Sequence, residues 1–262
     1  MENELDFILD NMQWSFSRLN SYYHCPYEWY LTYIEDNRGA NSSFTEYGTV
    51  CHKVLEEYLK GNLAIWDLED KFTELWKEIV VDEFPRNKYV DLAETYYEQG
   101  LSYFQNINFD FDRYEILGVE KEIHFEILDK PFVGYIDLLL RDKENGDIII
   151  SDHKSSTIKK KKNGEISKQS ASHFEEFKKQ LYMYSKPIIA EYGKVDKLRW
   201  NLFKQNDEIV IPWNEDDYKD TIKWAEDTIN LIDKTSVWLP DNSETYYCSV
   251  LCPHRNICEY RQ

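Results

Sequence analysis

One stretch constrains this chain more than any other: Gly134 to Lys154, GYIDLLLRDKENGDIIISDHK. Two apolar, strand-like runs flank a Gly-bearing turn of the kind that joins hairpin strands. Paired strands this apolar must be covered by other elements, so the rest of the chain has to supply a sheet and its cover. Three charged groups sit on these runs without a structural reason: Asp137 opens one run, and Asp152 and Lys154 close the other. Successive strand side chains face opposite ways, so Asp152 and Lys154 share a face and His153 points away from it. Two carboxylates and an ammonium converging at strand ends form a candidate divalent-metal site for phosphodiester cleavage.

The flanking sequence reads as cover. In residues 12–35, Ser15 or Ser17 is a candidate N-cap and Pro26 restarts a helix, with Cys25 at the junction. Taken alone, Cys25 reads as a small buried hydrophobe. EYGTVCHKVLEEYLKG predicts a helix that starts at Gly48 and Thr49 and stops at Gly61. His52 and Glu56 share one face of it, and His52 by itself reads as a surface or packing residue. Residues 65–106 predict two acidic amphipathic helices separated at Pro85, their carboxylates on a solvated face. From residue 114 the period changes to alternation, which predicts two or three strands in a meander. Glu120 lies on the first of them, facing either the site or the sheet surface.

Beyond Lys154, TIKKKKNGEISKQ holds the strongest positive cluster, Lys159–Lys162 with Lys168. It reads either as a solvated loop or as a contact to a phosphate backbone. SASHFEEFKKQLYMYSKPIIAEYG predicts a Ser-capped helix with Pro187 as a kink and with Gln180 and Tyr184 on one stripe. Residues 196–213 predict a hairpin turning at Gln205–Asp207, followed by an amphipathic helix. The order helix, meander, helix permits a mixed α/β fold.

Composition sets outer limits. A hydrophobic fraction of 42% and an aromatic fraction of 16% in 262 residues give a globular chain with a real core. The formal net charge of −18 counts against nonspecific nucleic-acid binding. Carboxylate-bound metal ions and a local basic loop can reverse that field locally. No apolar run approaches the roughly 20 residues that span a bilayer, and the acidic start MENELDFILD lacks a basic leader. The expected setting is cytoplasmic, without structural disulfides. The chain closes on TYYCSVLCPHRNICEYRQ, with Cys248, Cys252 and Cys258 spaced C-x3-C-x5-C. Clustered cysteines in such a setting favour metal or iron–sulfur ligation, and Cys25 is the natural fourth ligand. Zinc completed by Cys25 or His254 is the competing reading, and Cys51 is left as a structural residue.

In order, these motifs resemble the RecB-like branch of the PD-(D/E)XK nuclease superfamily. More narrowly, they are similar to the iron–sulfur exonucleases related to CRISPR-associated exonuclease four and their phage relatives. SFSRLNSYYHCPYEWYLTYI resembles the N-terminal helix with the first cluster cysteine, and YGTVCHKVLEE the helix with the motif histidine. GYIDLLL resembles the strand with the metal-binding Asp, SDHKSS the D-x-K motif, and QLYMY the Q-x-x-x-Y motif; the C-terminal cysteines close the order. The resemblance runs from about residue 14 to residue 258. One departure is that many relatives have two residues between the first two C-terminal cysteines, where this chain has three, Ser249 to Leu251.

The resemblance implies a restriction-endonuclease-like fold, a central mixed sheet flanked by helices, with the N- and C-terminal segments joined by a metal-cluster clasp. It implies a single nuclease domain over residues 1–262, with a helical insertion at about 62–110 and a cysteine segment at 246–262. His52, Asp137, Asp152 and the backbone carbonyl of His153 are the implied ligands of Mn²⁺ or Mg²⁺. Asp137, Asp152, Lys154, Gln180 and Tyr184 are the implied catalytic set, with Lys154 orienting the attacking water. Gln180 and Tyr184, with Lys159 and Lys160, are the implied nucleic-acid contacts. Cys25, Cys248, Cys252 and Cys258 are the implied [4Fe-4S] ligands. The expectation is a metal-dependent DNA exonuclease on single-stranded ends, partnered by CRISPR adaptation or recombination proteins. The alternatives are a noncatalytic DNA-binding or assembly subunit, against which the intact Asp, Asp, Lys set argues, and a zinc-stabilised interaction protein.

Overall fold

A computed structural model describes residues 2–261. Its helices are α1 (Glu2–Asp10), α2 (Phe16–His24), α3 (Pro26–Tyr33), α4 (Ser43–Leu59), α5 (Leu68–Ile79), α6 (Leu92–Asn106), α7 (Lys168–Tyr192) and α8 (Glu215–Asp233). Its strands are β1 (Tyr114–Ile127), β2 (Lys130–Asp142), β3 (Ile148–Lys154), β4 (Lys197–Leu202) and β5 (Asp207–Pro212). They form one five-stranded sheet in the order β1-β2-β3-β4-β5. β2 runs antiparallel to β3, β3 parallel to β4, and β4 antiparallel to β5. A parallel neighbour needs a long crossover, and α7 supplies it between β3 and β4. The mixed sheet flanked by helices agrees with the predicted architecture. No helix among the described residues is long and apolar enough to cross a membrane.

The chain divides into two compact units. One contains Ser43–Glu122 and Tyr135–Asn214. In it α4, α5 and α6 bury Val54, Leu55, Phe72 and Phe104 against Leu138, Leu140 and Ile149 of the sheet. The β3 residues on that face are Ile149, Ser151 and His153, by strand alternation. Asp152 lies on the other face, level with Trp200 of β4, and Phe174 of α7 packs on Trp200 with ring centroids 4.9 Å apart. Gly48 and Thr49 do not start α4; the helix begins at Ser43. Its start is fixed by contacts distant in sequence: Ser43 N–H donates to Asp82 Oδ2 at 3.1 Å, and Glu46 accepts the N–H groups of Val81 and Asp82 at 2.9 and 2.8 Å. Gly48 lies inside the helix, where a Cβ would stand 3.4 Å from Ser155 Oγ. Similarly, α7 begins at Lys168, ahead of the Ser cap read in SASHF, and Pro187 lies within it.

The other unit contains residues up to Ser42, Ile123–Gly134 and Glu215 onward. Ser15 caps α2, its Oγ accepting from Arg18 N–H at 3.2 Å. Trp14 bonds the β1–β2 hairpin through Pro131 O at 2.8 Å and Val133 N–H at 2.9 Å. That hairpin turns on Leu128 and Asp129, both at positive φ (53° and 58°), as a two-residue primed turn requires. Trp29 stacks on Trp238 with centroids 4.9 Å apart, and Tyr22 Oη lies 2.7 Å from Thr235 Oγ1. Arg255 donates to the carbonyls of Ala40 and Asn41 at 3.0 and 2.7 Å. Beside them Gly39 has φ +67°, and a Cβ there would meet Pro253 O at 2.4 Å. Only glycine permits that approach.

Candidate active site

The alternation of β3 turns Asp152 and Lys154 toward α7. Lys154 Nζ donates to Asp152 Oδ1 at 3.1 Å and to Gln180 Oε1 at 2.8 Å, and sits 5.0 Å from the centre of the Phe177 ring. Asp152 is 3% exposed. Its Oδ2 lies 2.9 Å from Nζ, yet it makes no properly directed hydrogen bond among the described residues. The β2–β3 register, extended by one residue, brings Asp137 level with Asp152. Asp137 is therefore mid-strand in β2 rather than at a strand end, and its Oδ2 accepts the His153 N–H at 2.6 Å.

His52 reaches this edge from α4. Its Nε2 lies 2.9 Å from the His153 carbonyl oxygen. Its Nδ1 lies 3.6 Å from Asp137 Oδ2 and 3.9 Å from Glu120 Oε1. One ligand atom from each of His52, Glu120 and Asp137 falls within 4.8 Å of the others. Glu120 enters the group through a local distortion, since it sits on β1 at φ +49°, a conformation rare for a non-glycine residue.

The electrostatics of this cluster call for a cation. Burial and the neighbouring Asp152 push the Asp137 carboxyl up to about 7, although His52 and Lys154 pull the other way. Burial alone would lower the His52 imidazole, but Asp137 and Glu120 outweigh it and raise it. His153 is held well below its ordinary value by burial and by the nearby His52 and Arg199. Two adjacent buried carboxylates resist joint ionisation unless positive charge is supplied between them. An oxygen-rich donor set with one imidazole suits Mg²⁺ or Mn²⁺.

The remaining sequence-predicted residues fall as follows. Gln180 and Tyr184 lie one turn apart on α7; Gln180 accepts from Lys154 and also bonds Tyr184, whose phenol is raised by burial and then by Asp152. Lys159 bonds Gln169 at 3.1 Å, and Lys160 pairs with Asp207 at 2.6 Å. Both cations thus have intramolecular partners on the loop, which bridges back on itself at Lys160 and Ile166. Sequence reasoning left Glu120 undecided and missed Asn201 and Tyr103. Asn201 Nδ2 lies 2.9 Å from His153 Nδ1 and donates to Tyr103 Oη at 2.7 Å, fixing the ring.

In the other unit, Cys25, Cys248, Cys252 and Cys258 line one cavity with Glu28, Tyr247 and His254. Cys25 serves as the N-cap of α3, its sulfur accepting the N–H groups of Glu28 and Asp241, each at 3.4 Å. The extra residue between Cys248 and Cys252 is taken up by a π-helical turn over Tyr247–Leu251, in which Cys252 N–H bonds Tyr247 O at 2.8 Å. His254 Nε2 lies 2.9 Å from Thr32 Oγ1. Burial and then Glu28 push the Cys252 thiol up to about 12. Cys51 is fully buried in the core under α4.

A helix-covered mixed sheet that gathers carboxylates and a lysine on its strands, with an imidazole reaching in from α4, defines a nuclease-type α/β domain. The sequence profile of the PD-(D/E)XK nuclease superfamily matches residues 13–259, and the chain belongs to that superfamily. A solved structure of a candidate exonuclease from Eubacterium rectale shares the fold, with TM-score 0.57 and 14% identity over 97% of this chain and 91% of that one. An alignment 89 positions long, covering 31% of this chain, is 32% identical to an ATP-dependent helicase/deoxyribonuclease subunit of Clostridioides difficile (strain 630). The match covers 8% of that protein's length.

Proposed function

We propose that this chain is a metal-dependent DNA exonuclease acting on single-stranded ends. The observation that carries the proposal is the convergence of His52, Glu120 and Asp137 within 4.8 Å, beside Asp152 and Lys154. His52, Glu120, Asp137 and Asp152, with the His153 carbonyl, would hold the cation. A divalent ion there would neutralise charge on the scissile phosphate and make water at the site more acidic. Lys154, held by Asp152 and Gln180, would orient the attacking water and meet developing negative charge. Gln180 and Tyr184 keep that lysine aligned from α7. Lys159 and Lys160 would exchange their present partners for strand phosphates. The likeness to a helicase/deoxyribonuclease subunit supports a strand-separating partner that supplies single-stranded ends.

The four-cysteine cavity supports a [4Fe-4S] cluster with a structural role. The backbone N–H groups of Glu28 and Asp241 already aim at Cys25 Sγ.

The test is digestion of end-labelled linear and of circular single-stranded DNA with Mn²⁺ or Mg²⁺. Loss of the linear strand, blocked by chelation and absent on the circle, is the expected result. Cleavage that ignores chelation, or no cleavage of any strand with either metal, would refute it.

A further inference from the structure

Lys204 lies on the short 3₁₀ turn Phe203–Gln205 that follows β4, and nothing in the proposed chemistry uses it. We infer that Lys204 is a phosphate-binding residue, which contacts a backbone phosphate of the bound strand other than the one that is cleaved. That the anion is a strand phosphate rests on the nuclease reading above; the placement of the cation does not.

Three observations carry the inference. The first is position. β3 and β4 are parallel, with Leu202 level with Lys154, so the turn carrying Lys204 leaves the sheet at the edge where Lys154 stands. The Phe203 ring packs on the ring of His52, with centroids 6.0 Å apart. Gln205 accepts the Ile158 N–H at 2.5 Å and donates to the Ile158 carbonyl at 3.2 Å, which ties the segment after Lys154 to the turn. Both sequence neighbours of Lys204 thus fasten it beside the proposed site. The second observation is what holds the ammonium. Nζ donates to Tyr96 Oη and lies 3.9 Å from the centre of that ring. Tyr96 is braced in turn by Tyr47 of α4, with ring centroids 5.0 Å apart, so the cation is held in place before any ligand arrives. The third is charge. Among the described residues no carboxylate lies within ion-pair distance of Lys204, and burial lowers its ammonium from the ordinary value with no anion to offset it. Neighbouring cations are matched: Lys160 to Asp207 and Lys197 to Asp147, each at 2.6 Å, and Arg199 to Glu208 at 2.9 Å. In a chain with 49 Asp and Glu against 31 Lys and Arg, a half-buried lysine left with a phenol alone is open to an anion from outside. Unlike Lys160, it gives up no ion pair to take one.

The test is fluorescence anisotropy of a labelled single-stranded oligonucleotide over a range of salt, with Mn²⁺, in the Lys154→Ala chain, which should bind the strand without cleaving it. Adding Lys204→Met keeps the apolar stem and removes the charge. It should weaken binding about fivefold at about 0.1 M salt and reduce the slope of log affinity against log salt by about 0.7, the counterion-release values of one single-strand phosphate contact. Lys204→Arg should restore the slope. Lys71→Met, which removes a charge already paired with Glu74 at 2.9 Å, should leave it unchanged. The melting temperature should not fall in the Lys204→Met chain, whereas a lysine that only props Tyr96 would lower it and leave the slope alone. An unchanged slope in Lys204→Met, or an equal loss of slope in Lys71→Met, would overturn the inference while wild-type cleavage still upholds the nuclease reading. A Lys154→Ala chain that binds no strand would overturn both.

Discussion

The carboxylate cluster and the cysteine cavity hold their groups in different ways. Asp137, Asp152 and Lys154 stand on paired central strands, and each is fixed by bonds already made: His153 N–H to Asp137, and Lys154 to Asp152 and Gln180. The cysteines stand at an α3 cap, on a π-helical turn and in the closing segment, far apart in sequence. Burial and the carboxylate of Glu28 raise the Cys252 thiol to about 12, so Cys252 resists forming thiolate on its own. On the proposed reading, the first site is built by the fold ahead of its ion, and the second would need its metal group to hold together the segments that form it. Losing metal from the first should cost activity, and losing it from the second should cost stability.

The largest expected effect tests the first half of that contrast. Lys154→Ala should lower metal-dependent cleavage by about a hundredfold or more, the usual scale for a positioned proton-handling group. Mn²⁺ binding by calorimetry and the circular dichroism spectrum should stay unchanged. A parallel loss of folding would break the contrast. Next, Cys258→Ala, purified without oxygen, should lose visible absorbance and melt at least about 5 °C lower, equivalent to a few kcal/mol in a chain of this size. An unchanged melting curve would remove the cysteine cavity's structural role. Glu120→Gln should raise the Mn²⁺ concentration for half-maximal cleavage at least about tenfold, since losing a proposed ligand costs no less than losing one of the groups that support it. An unchanged requirement would return Glu120 to the sheet surface. The smallest effect belongs to Ser15→Ala, which removes the α2 cap and should cost about 1 kcal/mol in chemical denaturation, with cleavage per folded molecule unaltered.

Much of this was legible because it is local. Strand alternation placed Asp152 and Lys154 together and His153 apart, and the capping rules narrowed the α2 cap to Ser15 or Ser17 and found the Pro26 restart. What escaped depends on distant partners. The α4 start was misplaced because Asp82 and Glu46 hold it at Ser43, a contact no local pattern announces. Glu120 could not be assigned because simple alternation fails where the backbone takes φ +49°. Asn201 and Tyr103 carry no motif; only the parallel pairing of β3 with β4 sets Asn201 beside His153. The lysine run reads as uniform charge in sequence, yet Lys160 is paired with Asp207 across the β4–β5 hairpin.

The most direct test of the account is Mn²⁺-dependent nucleotide release from labelled linear single strands by Asp137→Ala and wild type side by side. Asp137 accepts the His153 N–H and lies 3.6 Å from His52, so its carboxylate links the strand half of the site to the α4 half. The account predicts robust release by the wild type and none above background by a folded Asp137→Ala chain. Equal release by both would mean that the ion, and the chemistry, lie elsewhere.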